Sequence, residues 1–184
     1  MKKDLIIKLS GELFEAAVIV LILYYVIFPV KITGNSMLDT LQNGDRVLIS
    51  RAAAYLNLYG KDDIVIMKYN NGTEDIEIVK RIAAAKGDTI TIDNGSLYIN
   101  GNLIEGYTCS STENTTFTLE EDQIYVLGDN ADESVDSRYF GPVTKSNVEG
   151  LVLLRIYPFN EIQFLKGWLK YERFLIIWIK EGSL

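Results

Sequence analysis

Ser36 and Lys80 are the two side chains whose type and setting suit covalent chemistry, in a chain of 184 residues that holds one cysteine and no histidine. The missing histidine excludes a Ser-His-Asp triad and a histidine-ligated zinc site, and a lone Cys109 excludes an internal disulfide or a thiolate cluster. Proton transfer must fall to lysine, tyrosine or carboxylates. A lysine can accept a serine proton only when neutral, and burial supplies that state, because desolvation disfavours the ammonium and can lower its pKa by several units. Ser36 lies in T-G-N-S-M-L-D-T-L, where Gly34 permits a sharp turn. Lys80 closes the alternating stretch D-I-E-I-V-K, so Ile76, Ile78 and Lys80 share one face of a strand. Isoleucines turned to the core would carry the lysine amine into apolar surroundings. The other reading is a lysine at a strand end that snorkels to water, with Arg81 beside it as a second surface cation. Surface lysines are much the commoner kind, so alternation alone does not choose between them.

The elements that must position these two groups read as strands. Arg46 to Ser50, Ile64 to Tyr69, Asp75 to Lys80, Thr89 to Ile92, Ser96 to Ile99 and Ile124 to Leu127 are short runs rich in β-branched and aromatic residues. Three Asn-Gly pairs, at Asn71, Asn94 and Asn100, separate such runs and suit tight hairpins, which pair consecutive strands antiparallel. Strand and helix do not alternate, so a parallel sheet is not expected. Thr108 to Thr116 reads as a polar loop.

Ahead of these strands stands an apolar run, Ala16 to Val30, with no charge across 15 residues. Counted from Leu13, with Glu15 at the interface, it reaches 18 residues, enough for a membrane helix of borderline length. Lys2, Lys3 and Lys8 precede it, which orients the N-terminus to the cytoplasm and the rest of the chain to the outer side. Two other readings are a cleaved signal peptide, which lacks a small-x-small site after the apolar core, and a buried core helix. The expected division is therefore a cytoplasmic N-terminus and anchor over 1–31, a β-rich catalytic domain over 32–160 and a C-terminal amphipathic helix over 161–184. In that last stretch Gln163, Lys166, Lys170 and Arg173 fall on one helical face, which suits a helix lying in the membrane interface or one packed on the domain's own sheet. Eighteen Lys plus Arg against 25 Asp plus Glu give a net charge of −7, and no long basic run is present, so nucleic acid is not an expected partner.

Four segments, taken in order, resemble the type I signal peptidases, membrane-anchored proteases that use serine and lysine to remove signal peptides. They are G-N-S-M-L-D-T-L followed by G-D-R-V-L, from Gly34 to Leu48; D-I-V-I, from Asp63; V-K-R-I-A-A-A-K-G-D, from Val79; and G-D-N-A-D-E-S-V-D-S-R-Y-F-G, from Gly128 to Gly141. The resemblance implies a mainly β fold, an antiparallel catalytic domain with an N-terminal transmembrane helix and a short C-terminal helix. It implies Ser36 as nucleophile, with its backbone N–H as oxyanion donor, and Lys80 as general base. Ser134 matches a serine that hydrogen-bonds the lysine, Asp136 and Arg138 match an ion pair under the site, and Gly128, Asp129 and Asn130 match the supporting loop. For Asp129 a turn residue bonding its own backbone is an equal expectation. No cofactor or metal is implied; the partners are signal-peptide-bearing preproteins, cleaved after a small-x-small motif, and the lipid bilayer.

The sequence departs from the family pattern at three places. Asp39 stands where proline is usual, Ala84-Ala85-Lys86 replaces a Leu-Pro pair, and Ala131 replaces an arginine. Gly34 also offers no side-chain oxyanion donor where some members carry a serine. A charged Asp39 near Lys80 would raise the lysine pKa, the wrong direction for a base. These changes keep open a non-catalytic relative that acts as an assembly factor for surface structures, although a scaffold has no need of a retained Ser-Lys pair. Self-cleaving repressors, which also use serine and lysine, are disfavoured by the anchor and the missing DNA-binding domain.

Overall fold

The computed structural model describes residues 10–20, 27–70, 72–110 and 114–165. The apolar run divides between two kinds of structure. Residues 10–20 are helical and exposed throughout, with Leu13 and Phe14 about 70% accessible, so this stretch is not a core helix. Phe28–Lys31 form a strand, β1, so three residues that the expected span counted, Phe28 to Val30, are extended and belong to a sheet. The reason is pairing: each residue of β1 lies opposite one of β2 (Arg46–Ser50), from Phe28 opposite Ile49 to Lys31 opposite Arg46. No helix among the described residues is long and apolar enough to cross a membrane, and residues 21–26 lie outside the description.

Two antiparallel sheets make up the rest. The larger orders its strands β1-β2-β11-β3-β4-β9-β10, with β12 (Gln163–Phe164) on β11, where β3 is Ile64–Asn70, β4 Asp75–Ala85, β9 Gln123–Leu127, β10 Val143–Thr144 and β11 Val148–Tyr157. The smaller orders β7-β6-β5-β8, from Asn102–Thr108, Ser96–Ile99, Thr89–Asp93 and Thr115–Thr118. Its two tight turns use Asn94-Gly95 and Asn100-Gly101, all four at positive φ between 48° and 79°, as such hairpins require. Asn71 lies outside the described residues. The expected strands are all present, with β4 running five residues past Lys80. The expected loop at Thr108 to Thr116 is shorter than read: Thr108 ends β7, Thr115 and Thr116 open β8, and Cys109 is buried in the small sheet's core.

β11 is the strand that joins the large sheet, because it pairs with both β2 and β3. Residues Leu151 to Leu153 are all buried there, since apolar side chains cover both faces. The helix expected from Glu161 is corrected at its start. Gln163 and Phe164 pair with Arg155 and Leu154 as β12, and the edge of β11 satisfies their backbone groups. Residues 166–184, the rest of that expectation, lie outside the description. Three apolar clusters hold the sheets; Met37 and Leu41 anchor the Ser36 turn in one of them, beside Ile64 and Ile66. Two short helices complete the fold, α1 (Arg51–Tyr55) and α2 (Ser137–Phe140).

Candidate active site

Ser36 opens a turn between β1 and β2 that Met37 and Leu41 nail to the core. Leu41 N–H bonds the Met37 carbonyl at 2.7 Å, and Gly34 takes φ +90°, the left-handed backbone its lack of a side chain permits. Lys80 lies on β4 in the register that its alternation with Ile76 and Ile78 demands, and it is 3% exposed. β9 pairs with β4 only from Arg81 onward, so at Lys80 the strand is paired with β3 alone. Nζ of Lys80 and Oγ of Ser36 are hydrogen-bonded at 2.8 Å. The buried reading of Lys80 thus prevails over the snorkelling one.

Burial pushes the Lys80 pKa down from 10.5 to about 8; Asp136 and Asp129 oppose that shift, and Arg138 adds to it. Asp39 is not among the charges that act on the lysine. Its backbone takes φ +82°, which proline, fixed near −65°, cannot adopt, so this turn is built for a residue other than proline. A neutral amine at hydrogen-bond distance from a serine hydroxyl can take its proton. The Ser36 N–H donates no hydrogen bond among the described residues. Beside Ser36 a cleft of about 120 Å³ is lined by Val30, Ile32, Met37, Ile66 and Val79. Lys31 and Glu77 also line it, so apolar and charged side chains meet in this cleft.

The loop from Gly128 to Arg138 braces the pair. Asp136, wholly buried, accepts from the Gly128 N–H at 3.0 Å and from Arg138 Nε at 2.8 Å. The remaining guanidinium donors of Arg138 reach the carbonyls of Thr108, Ala131 and Ser134. Asn130 N–H donates to the Ser36 carbonyl at 3.0 Å, and its side-chain Nδ2 donates to the Asn35 backbone carbonyl at 3.1 Å, which ties the loop to the serine turn. Gly128 must be glycine: a Cβ there would stand 2.5 Å from the Ser36 carbonyl oxygen and 2.6 Å from Ser134 Cβ.

Comparison with known proteins shows the family. A family model described as "Signal peptidase, peptidase S26" matches residues 7–157. The chain belongs to the peptidase S26 family. Signal peptidase I S of Bacillus subtilis (strain 168) is 31% identical, covering 88% of this chain and 95% of its own, and a signal peptidase I of Bacillus amyloliquefaciens is 30% identical, covering 90% and 95%. A solved signal peptidase I from Enterococcus faecalis V583 is 27% identical over 50% of this chain and 93% of its own, with a TM-score of 0.37, too loose a superposition to carry geometry. The activity of this S26 chain is that of a serine peptidase of signal peptidase I type.

Within this S26 site the expected residues converge, with two differences. Ser134 is 4% exposed, and its Oγ has no hydrogen-bond partner among the described residues, so the expected bond to Lys80 is not made; the side chain packs over Gly128 instead. Arg81 is no surface cation. It grips Asp129 with two bonds, Nε to Oδ1 at 2.8 Å and Nη2 to Oδ2 at 2.6 Å, and reaches the Asp62 carbonyl and Thr40 Oγ1. Such a fork joins β4, the Gly128 loop and the serine turn. Asp129 is therefore an ion-pair partner rather than a turn residue bonding itself. Asn35, Thr40 and Arg81 all stand in the segments that carry the resemblance, but nothing in those segments gave them a part of their own; Arg81 had one further signal, its place next to Lys80.

Proposed function

We propose that this chain is a membrane-bound endopeptidase that removes N-terminal signal peptides from exported preproteins, with Ser36 as nucleophile and Lys80 as general base. The observation that carries the reading is a buried lysine amine, its pKa pushed down to about 8, at 2.8 Å from the hydroxyl of Ser36. Ser36 Oγ attacks the scissile carbonyl while Lys80 takes its proton and returns it to the leaving amine; water, activated by the same lysine, then hydrolyses the acyl-enzyme. The Ser36 N–H, which donates no bond among the described residues, is the donor to the oxyanion in this reading. Asp136, Arg138 and Asp129 hold the loop under the dyad, and Ser134 shapes it through Gly128.

Cleavage after small residues is the specificity that the family resemblance implies, and the cleft beside Ser36 is the place for the residue that precedes the scissile bond. Anchoring rests on the uncharged run before Phe28, the lysines at 2, 3 and 8, and the exposed apolar side chains of residues 13–20. That topology sets the N-terminus in the cytoplasm and the catalytic domain on the outer side of the cell membrane. The test is cleavage of a model preprotein by the full chain in detergent micelles. Ser36→Ala is expected to reduce cleavage to background, Lys80→Ala to lower kcat by roughly 10²–10⁴-fold, and the double variant to be no worse than the weaker single one. Retention of most activity by Lys80→Ala would reject the base assignment.

A further inference from the structure

Tyr107 belongs to β7 of the small sheet, outside every motif that carries the family resemblance, yet its hydroxyl reaches the loop beneath the dyad. Tyr107 Oη donates to the Gly128 carbonyl at 2.9 Å. The N–H of the same glycine donates to Asp136, so Gly128 is held at both of its polar atoms. It has no slack on its third side, where Ser36 and Ser134 leave no room for a Cβ. The Tyr107 ring lies against the Arg138 guanidinium, 5.2 Å from centroid to Cζ, and the carbonyl of the next residue, Thr108, accepts from Arg138 Nη1 at 3.1 Å. The charged groups facing the hydroxyl are Asp129, Asp136, Arg138 and Arg81, which are the two ion pairs of the site. Three of these four are also the charges that act on Lys80.

We infer that Tyr107 is a positioning residue for the reaction: its hydroxyl on the Gly128 carbonyl and its ring on Arg138 make the small sheet a clamp that holds the 128–138 loop against Ser36 and Lys80. The inference rests on the dyad reading given above. Tyr107 touches neither dyad member and acts through Gly128 and Arg138. Without the hydroxyl, the Gly128 carbonyl is left unpaired in a partly buried place and must recruit water. Water entering that loop lessens the desolvation of Lys80, the largest cause of its lowered pKa. The cleft beside Ser36 is lined from β1, β3, β4 and the serine turn, so substrate binding is untouched.

The experiment measures kcat and KM for preprotein cleavage by the full chain from pH 6 to pH 10, for wild type, Tyr107→Phe and Tyr98→Phe, a tyrosine of the same sheet on β6. Tyr107→Phe keeps the ring on Arg138 and removes only the donor. The expected result is a kcat about three- to tenfold lower near pH 7 with KM unchanged, a midpoint displaced upward by roughly half to one unit, and rates converging with wild type at high pH. Tyr98→Phe is expected to follow wild type. An unmoved midpoint in Tyr107→Phe overturns the inference, even with a lowered Tm, because a brace of the fold alone would give that result. A wild-type rate that ignores the loss of Ser36 or Lys80 overturns the dyad reading and this inference with it, so the two failures are distinguishable. Should Tyr107→Phe fail to fold, fluorotyrosine at position 107 changes donor strength and keeps shape; a displaced midpoint supports the clamp and an unmoved one overturns it.

Discussion

Gly128→Ala tests how tightly the loop and Ser36 are packed. The new Cβ would stand 2.5 Å from the Ser36 carbonyl oxygen, 2.6 Å from Ser134 Cβ and closer still to Ser134 Oγ. Ordinary contact needs about 3.4 Å, so one side must retreat by roughly 0.9 Å, and neither is the free end of a flexible side chain. Moving the Ser36 carbonyl breaks the 3.0 Å bond from Asn130 N–H and shifts Ser36 itself. A misplacement near 1 Å can lower the rate on the order of 10²-fold, equal to about 2.7 kcal/mol in the barrier. Overpacking of this kind also destabilises by about 1–3 kcal/mol. Gly150→Ala is the control, because its Cβ meets the Ile49 side chain, with Cδ1 at 2.6 Å, and not the loop or Ser36. Preprotein cleavage and thermal unfolding followed by circular dichroism should show Gly128→Ala losing both activity and stability, and Gly150→Ala losing stability with kcat retained. Gly128→Ala within about threefold of wild-type kcat/KM would refute the packing argument.

Lys80→Met should stabilise the protein at neutral pH. The folded pKa of Lys80 lies below its unfolded value, so the burial penalty is complete below pH 8 and is relieved as pH rises from about 8 to 10.5. That shift corresponds to about 3 kcal/mol, less about 1 for the lost hydrogen bond, and the Tm advantage of the variant should shrink across that window; a less stable variant at pH 7 contradicts this. Arg138→Met leaves the wholly buried Asp136 without its cation and should destabilise by about 3–5 kcal/mol, while Asp136→Asn combined with Arg138→Met should recover part of the loss in chemical denaturation. Asp39→Gly should match or slightly exceed wild-type stability, because φ +82° is natural for glycine, whereas Asp39→Pro should lower both Tm and cleavage. Equal behaviour of the two Asp39 variants would show that the turn conformation is not held.

Local pattern was enough to find six strands, because each is a short stretch whose residue types are complete in themselves, whereas alternation left Lys80 between a buried and a surface reading and only the resemblance singled it out with Ser36. The reach of those patterns ended where the partner lies far along the chain. Arg81 and Asp129 are 48 residues apart, and no periodicity says that the arginine after Lys80 turns inward to form a fork. β11 escaped alternation for a physical reason: V-E-G-L-V-L-L-R-I-Y is covered on both faces, so its apolar residues run together. The same ambiguity hid β1, since Phe28 to Val30 continue an apolar run and only pairing with β2 makes them a strand. Ser134 shows the opposite case, where a motif found the residue and geometry gave its hydroxyl a different neighbour from the one expected.

The account stands on the protonation state of one amine. Nitrogen NMR of the full chain in micelles, with lysine side chains labelled and the Lys80 resonance assigned by its loss in Lys80→Met, follows that amine directly through pH. A titration midpoint near 8 is the predicted result. A midpoint at the ordinary value of 10.5, with Ser36 still required for cleavage, would contradict the claim that burial makes Lys80 the base.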